Sequence, residues 1–222
     1  MWCIPRGDEA FVARMEEVLD LYAKPYNPQE PVLCFDEKSK ELRADTRPIQ
    51  PMAAMRARRR DYEYTRNGTA NIFVTVEPKG GRREAMVTDR RTKQDFAQEI
   101  KRIVNLPRYR DAAAIHLVLD NLNTHNASSF RETFGDDVTE RLTERIQFHH
   151  TPVHASWLNM AEIEVSILGR QCVNQRIPTK ERLTKAVRIW TQRRNSTRNT
   201  IQWKFTKADA RNVFKYQPKN LS

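Results

Sequence analysis

Two apolar stretches of the chain end in aspartate and decide its fold: VLCFD at residues 32–36 and AIHLVLD at residues 114–120. Short continuous apolar runs of this kind are typical of strands that are buried on both faces of a sheet. A lone carboxylate is costly to bury, so an aspartate at such a strand end needs a cation, hydrogen-bond donors or access to solvent. We therefore interpret Asp36 and Asp120 as candidate site residues at one edge of a parallel sheet.

The patterns around these two stretches predict a sheet of mixed strand direction with helices on its faces. Strand-forming segments around a PKGG turn at residues 78–81 predict a hairpin of strands 70–76 and 84–88. Prolines between residues 25 and 31 exclude a regular helix there, and we interpret residues 46–68 as a long loop or a poorly ordered hairpin. We also predict helices over residues 8–22 with Asp8 as N-cap, 92–105, 128–134 and 156–168, and a strand over residues 145–149.

The charge of the chain is concentrated near its end. Residues 1–169 contribute −1 to the net charge of +11, with 25 Lys and Arg against 26 Asp and Glu, whereas residues 170–222 contribute +12, with 14 against 2. A segment this basic, without a membrane-type amphipathic pattern, indicates a polyanionic partner and favours nucleic acid over a lipid surface. A basic face that serves only solubility is the alternative interpretation.

Cysteine usage and hydropathy predict the compartment. Cys3, Cys34 and Cys172 are an odd number at wide spacing without a Cys-x-x-Cys pair, so neither a disulfide framework nor a thiolate zinc site is favoured. The sequence has no apolar run of the roughly eighteen residues that a membrane span needs. Residues 1–6 also lack the apolar core of a signal peptide. These features predict a soluble cytosolic protein without a membrane partner.

The two aspartates, joined by a carboxylate from a nearby helix, would supply the hard oxygen ligands that suit Mg²⁺ or Mn²⁺. Two such ions about 4 Å apart serve phosphoryl transfer on nucleic acids. A strand-end cap or a loop salt bridge is the ordinary explanation of a single aspartate, but the matched pair of strand ends favours a site. The chain has no phosphate loop, dinucleotide fingerprint, nucleophile elbow or His-Glu-x-x-His helix, which argues against ATP and NAD enzymes.

Four sequence blocks, in order, resemble the motifs of mariner-superfamily DDE transposases, especially the bacterial insertion sequence 630 group. The blocks are PVLCFDEK at residues 31–38, DYEYTRNGT at 61–69, LDNLNTH at 119–125 and TPVHASWLNMAE at 151–162. The pattern spans nearly the whole chain. The resemblance implies an RNase H-like fold in which Asp36, Asp120 and Glu162 are the catalytic acids and hold two Mg²⁺ or Mn²⁺ ions.

The resemblance also implies a reaction and partners. The expected activity is metal-dependent cleavage and strand transfer of double-stranded DNA, at transposon ends and at a target, by a homodimer that is nucleoid-associated while bound to DNA. The alternatives are an RNase H-like nuclease without strand transfer and a non-catalytic DNA-binding remnant. Full transposases of the group carry N-terminal helix-turn-helix domains, whereas we expect this chain to begin almost at its catalytic domain.

Three segments are expected: an N-terminal helix and connector at residues 1–31, the RNase H-like core at 32–175 and a basic helical segment packed on the core at 176–222. The third acid stays open on pattern alone, because Glu162 and Glu164 point to nearly opposite sides of one helix. Only the LNMAE match at residues 158–162 favours Glu162.

Further residues near the motifs are expected to assist the three acids or to hold DNA. His125 has an ordinary helix-capping turn as its alternative role. The expected accessory residues are Glu37, Asn121, His125, Asn159 and Glu164. The basic residues expected to contact DNA phosphates are Arg58, Arg59, Arg60, Arg66, Arg176, Lys180, Lys185, Arg193 and Arg194.

Overall fold

The computed structural model describes residues 9–122 and 125–216 of the chain. The strands in this part form a sheet that joins an antiparallel meander to two parallel strands. The meander consists of β1 (Val32–Asp45), β2 (Tyr64–Glu77) and β3 (Arg82–Thr88), whereas β4 (Ile115–Leu119) and β5 (Ile146–His150) run parallel to β1. The strand order is β3-β2-β1-β4-β5, so β1 lies at the centre. The predicted α/β sheet of mixed direction is confirmed.

The helices lie close to their predicted positions, with one addition. Asp8, the expected N-cap of the first helix, lies outside the described residues. One helix was expected between β4 and β5, but Gly135 takes a φ of 79° and divides this region into two helices. The helices are α1 (Glu9–Ala23), α2 (Lys93–Val104), α3 (Ala127–Phe134), α4 (Asp136–Thr143), α5 (Ala161–Leu168), α6 (Lys180–Thr197) and α7 (Lys207–Phe214). Among the described helices, none is both long enough and apolar enough to cross a bilayer.

The first strand is much longer than the sequence predicts. The apolar run stops at Asp36, but β1 continues to Asp45 and pairs with a β2 that begins at Tyr64. Beyond Cys34 the strand has left β4 and pairs only with β2, so polar side chains are tolerated there. The expected loop at residues 46–68 is therefore shorter, and isolated bridges at Gln50–Arg59 and Ala53–Arg56 give it the form of an irregular hairpin.

The predicted helix over residues 156–168 is interrupted. Ser156–Leu158 forms a 3₁₀ turn, Asn159 is extended with φ −81° and ψ 108°, and α5 begins only at Ala161. The reason is the Asn159 side chain, which accepts a hydrogen bond from the Ala161 N–H at 3.1 Å. Asparagine favours this type of local side-chain contact over a helical interior.

Side chains of β1 alternate between the two faces of the sheet and build a core on each. Leu33 and Phe35 pack against α2 and α3, whereas Cys34 packs against α1 and α5 on the opposite face. Helix α6 covers the same face as Cys34, where its apolar side chains pack against β2. The residues of that cluster include Ile72, Val74, Leu183, Val187 and Trp190. The basic C-terminal helix is thus also a core helix.

Candidate active site

Asp36 and Asp120 lie at the same level of two adjacent parallel strands. Cys34 of β1 is opposite Val118 of β4, and each aspartate comes two residues after its member of that pair. Because residues i and i+2 share a face of a strand, Asp36 points to the same face as Cys34. Asp120 follows the last residue of β4 and begins the next loop. The crevice where β4 ends beside the middle of β1, and β1 continues with β2 alone, therefore carries both predicted acids.

Helix α5 brings one of its two glutamates to this crevice. The charge of Glu162 acts on Asp36, as do those of Glu37 and Asp120. Glu164 points the other way and is completely buried, where its Oε1 accepts hydrogen bonds from Arg83 at 2.8 Å and Arg194 at 2.6 Å. The two glutamates diverge as the helix period requires, and Glu162 is the one that lies with the aspartates. The contacts of Glu164 give it a structural role.

Asn159 ties the helix that carries Glu162 to the strand that carries Asp36. Its side-chain amide donates a hydrogen bond to the Phe35 carbonyl at 2.7 Å, while its Oδ1 accepts from Ala161. The side chain is almost fully buried, so both bonds are shielded from water. Asn159, expected as an accessory residue, therefore fixes the start of α5 next to the Phe35 carbonyl, which directly precedes Asp36.

The environment of Asp36 is strongly acidic. Burial, followed by the charges of Glu162, Glu37 and Asp120, raises the pKa of Asp36 to about 7, although the N–H of Glu37 donates a hydrogen bond to its Oδ1 at 2.8 Å. Clustered carboxylates that resist ionisation together are typical of sites that bind a cation or a proton.

Glu37 and His125 form a second layer beneath the acids. Glu37 follows Asp36 in β1 and so points to the opposite face, where His125 lies 3.1 Å from its Oε2. His125 also donates a hydrogen bond from Nδ1 to Asp120 Oδ1 at 2.5 Å. Burial would lower the pKa of His125, but its contacts with Asp120 and Glu37 raise it to about 9. Asn121 is exposed beside Asp120, and Asn123 and Thr124 of the same motif lie outside the described residues.

The three acids fit divalent metal ions by their chemistry. Carboxylate oxygens are the ligands that Mg²⁺ and Mn²⁺ prefer, and the pKa of Asp36 is raised by burial and by the neighbouring carboxylates Glu162, Glu37 and Asp120. Across residues 9–122 and 125–216, no three His, Cys, Asp or Glu side chains converge closely enough to enclose one ion. Mg²⁺ keeps several waters and binds through one or two carboxylates alongside substrate phosphates, so it does not require such an enclosure.

The geometry agrees with a family comparison that covers most of the chain. Residues 31–184 match the family described as DDE superfamily endonuclease, and this range includes all three acids. The chain belongs to the DDE superfamily endonucleases. A comparison with curated proteins gave no match.

Solved structures similar to this DDE domain include three complexes of the Mos1 mariner transposase. The paired-end complex with Mn has a TM-score of 0.56 at 15% identity and covers 90% of this chain and 62% of that one. The pre-cleavage transpososome has a TM-score of 0.54 at 14% identity, with 90% and 64% covered. The strand transfer complex has a TM-score of 0.52 at 15% identity, with 90% and 61% covered. The likeness establishes the RNase H-like fold, and the DDE domain spans less than two thirds of those Mos1 chains.

Several basic residues expected to hold DNA are engaged within the protein instead. Arg176 donates to Asp45 and to two backbone carbonyls of the β1–β2 hairpin, and Arg194 is bound to Glu164. Ion pairs also join Arg60 to Asp45, Arg66 to Glu41 and Lys180 to Asp89. The expected residues that are exposed, and for which the described part of the chain shows no ion pair, are Arg58, Arg59, Lys185 and Arg193.

The sequence-based predictions missed the partners of Glu164. Arg83 lies in β3, 81 positions before Glu164, and is 1% exposed. It comes from a run of three charged residues, RRE at 82–84, that gives no signal of burial. The sequence does not show which of Arg82 and Arg83 points into the core, whereas the tertiary structure does.

Proposed function

We propose that this DDE domain is the catalytic domain of a transposase that cleaves DNA strands and transfers them to a target. The observation that carries the proposal is that Asp120 and Glu162 lie near enough to the buried Asp36 for their charges to act on it; burial, followed by these charges, raises the pKa of Asp36 to about 7. Membership of the DDE superfamily endonucleases supports phosphodiester chemistry at these acids.

In this proposal the three acids hold two Mg²⁺ or Mn²⁺ ions. Asp36 and Asp120 bind from the strand side of the crevice, and Glu162 binds from the helix side. When bound, the ions activate the attacking oxygen and stabilise the leaving oxygen of an in-line displacement. Asn159 keeps α5 against β1, so the distance between the Asp36 backbone and the start of α5 is fixed before any ligand arrives.

We further propose double-stranded DNA as the substrate, with transposon ends and a target as its two forms. The similar Mos1 structures are a paired-end complex and a strand transfer complex, and the exposed Arg58, Arg59, Lys185 and Arg193 offer phosphate contacts here. A homodimer in the DNA complex and a cytoplasmic, nucleoid-bound location in bacteria complete the proposal. Within the superfamily we assign the chain to the insertion sequence 630 group, in which helix-turn-helix domains supply end recognition.

Metal-dependent cleavage of labelled transposon-end DNA tests the proposal. We expect Asp36→Asn, Asp120→Asn and Glu162→Gln to abolish cleavage, because each removes a charged ligand without changing side-chain volume. The control is Asp111→Asn, an aspartate whose side chain is 79% exposed, which should cleave like the wild type. Full activity in any of the three variants would remove that acid from the mechanism.

Two outcomes of the same assay would favour the other functions. Cleavage without a joined product, when helix-turn-helix domains are supplied, would indicate a nuclease that lacks strand transfer. Salt-sensitive DNA binding without any metal-dependent cleavage would indicate a non-catalytic remnant.

A further inference from the structure

His125 is held in a fixed orientation between two carboxylates. Its Nδ1 lies 2.5 Å from Asp120 Oδ1 and its Nε2 lies 3.1 Å from Glu37 Oε2. The second contact is an ion pair between the imidazolium and the carboxylate. The residue is 1% exposed, so water cannot replace either contact.

Packing prevents the imidazole from turning to other partners. The ring lies 4.8 Å from the centroid of Phe96 and meets Phe35 edge to face at 5.4 Å. The backbone of the same residue is held too, because His150 Nε2 binds the His125 carbonyl at 2.7 Å. The loop that begins at Asp120 is therefore attached to the core at His125, through both the buried side chain and the carbonyl.

Glu37 differs from the three acids in its surroundings. It lies on the opposite face of β1 from Asp36, and its Oε1 accepts a hydrogen bond from Arg91 at 3.3 Å. With His125 on its other oxygen, the carboxylate of Glu37 faces two cationic side chains, whereas Asp36 faces other carboxylates. The charge of Glu37 is already balanced, and this sets it apart from a metal ligand.

We propose that His125 is a positioning residue that orients the Asp120 carboxylate for metal binding, and that Glu37 anchors His125 and does not itself bind metal. The hydrogen bond engages Oδ1 of Asp120 and thereby fixes the orientation of the carboxylate. This inference rests on the proposed function, because it takes Asp120 as a metal ligand. Buried groups that hold a ligand in place affect metal affinity by about 10- to 100-fold.

The two amide replacements of histidine separate positioning from packing. The amide nitrogen of asparagine corresponds to Nδ1 and that of glutamine to Nε2, so His125→Asn keeps the donor to Asp120 and His125→Gln keeps only the donor to Glu37. We expect Mn²⁺ affinity, measured by calorimetry on the full chain without DNA, to stay within about threefold in His125→Asn. It should fall about 10- to 100-fold in His125→Gln. Equal affinities in the two variants would overturn the positioning role.

Glu37→Gln tests the anchor. As an anchor, it should lower Mn²⁺ affinity less than tenfold and leave the number of bound ions unchanged. A loss as large as that of Asp36→Asn, or one ion fewer, would make Glu37 a ligand and overturn this part of the proposal.

A measurement on the wild type covers the case in which a variant does not fold. The Nδ1 proton of ¹⁵N-histidine-labelled protein should stay hydrogen bonded during a Mg²⁺ titration and shift with the midpoint found by calorimetry. An unresponsive His125 signal alongside measurable Mg²⁺ binding would exclude the coupling. If instead Asp36→Asn binds Mn²⁺ as the wild type does, the proposed function fails, and the contact between His125 and Asp120 remains a structural one.

Discussion

Because Glu164 forms buried ion pairs, the two glutamates of α5 should differ in how much their substitution lowers the stability of the protein. Glu164 is 0% exposed and lies between Arg83, 1% exposed, and Arg194, 17% exposed. Glu164→Gln removes the negative charge but keeps the volume, so Arg83 is left charged in the core. Among the described residues, its Nε and Nη1 have no hydrogen-bond partner even before the substitution. Arg194 reaches solvent and loses less.

The expected cost is that of breaking a buried ion pair by removing one partner, about 3–5 kcal/mol. For a domain of this size, each kcal/mol lowers Tm by roughly 2–4 °C, so Glu164→Gln should melt roughly 6–20 °C below the wild type. The free energy of unfolding is measured by urea titration and Tm by calorimetry, both without metal.

Glu162→Gln is the matched control, since it is the same substitution two positions away on the same helix. Glu162 lies among other carboxylates, so its loss should change the free energy of unfolding by no more than about 0.5 kcal/mol. The double variant Arg83→Met/Glu164→Gln should regain most of the loss, because no unpaired buried charge remains. A Glu164→Gln protein as stable as Glu162→Gln would refute the reasoning.

Three other outcomes follow from the same contacts. The pKa of His125 is about 9 in the folded state against 6.5 for the free group. Its protonated form therefore contributes about 3 kcal/mol to the free energy of unfolding. This contribution is fully present below pH 6.5 and is lost as pH rises through 9. Urea titrations between pH 6 and 10 should show this loss, and His125→Asn should flatten it. Burial raises the pKa of the Cys34 thiol to about 12, so iodoacetamide should modify it only after unfolding, as mass spectrometry can follow. Lys185→Ala and Arg193→Ala should each reduce the slope of log K for DNA binding against log salt concentration by about one. Arg176→Ala should instead lower Tm, because the Arg176 guanidinium holds the β1–β2 hairpin.

The sequence predicts the sheet and the two aspartates because both depend on local patterns. A buried parallel strand is a continuous apolar run, and the pairing of Cys34 with Val118 brings the aspartates that follow the two runs to the same level. The extension of β1 to Asp45 was missed because its residues are mostly polar. Polar residues can form a strand there because this part of β1 pairs with β2 alone. No local pattern marks it.

The different surroundings of Glu162 and Glu164 are visible only in the tertiary structure. Both glutamates have apolar neighbours along α5, and what distinguishes them is an arginine on a distant strand. The same limit applies to the basic residues. Arg176 and Arg194 resemble surface cations in sequence, but each has a carboxylate that the fold brings to it.

The hydrogen bond from Asn159 to the Phe35 carbonyl joins two of the three acids more firmly to each other than to the third. Asp36 and the first turn of α5 are joined through this buried amide and must move as one body. Asp120 instead begins a loop that is attached to the core at His125, through its side chain and through its carbonyl. Distance probes on this loop and on α5 would therefore detect any movement of Asp120 relative to the joined Asp36 and α5.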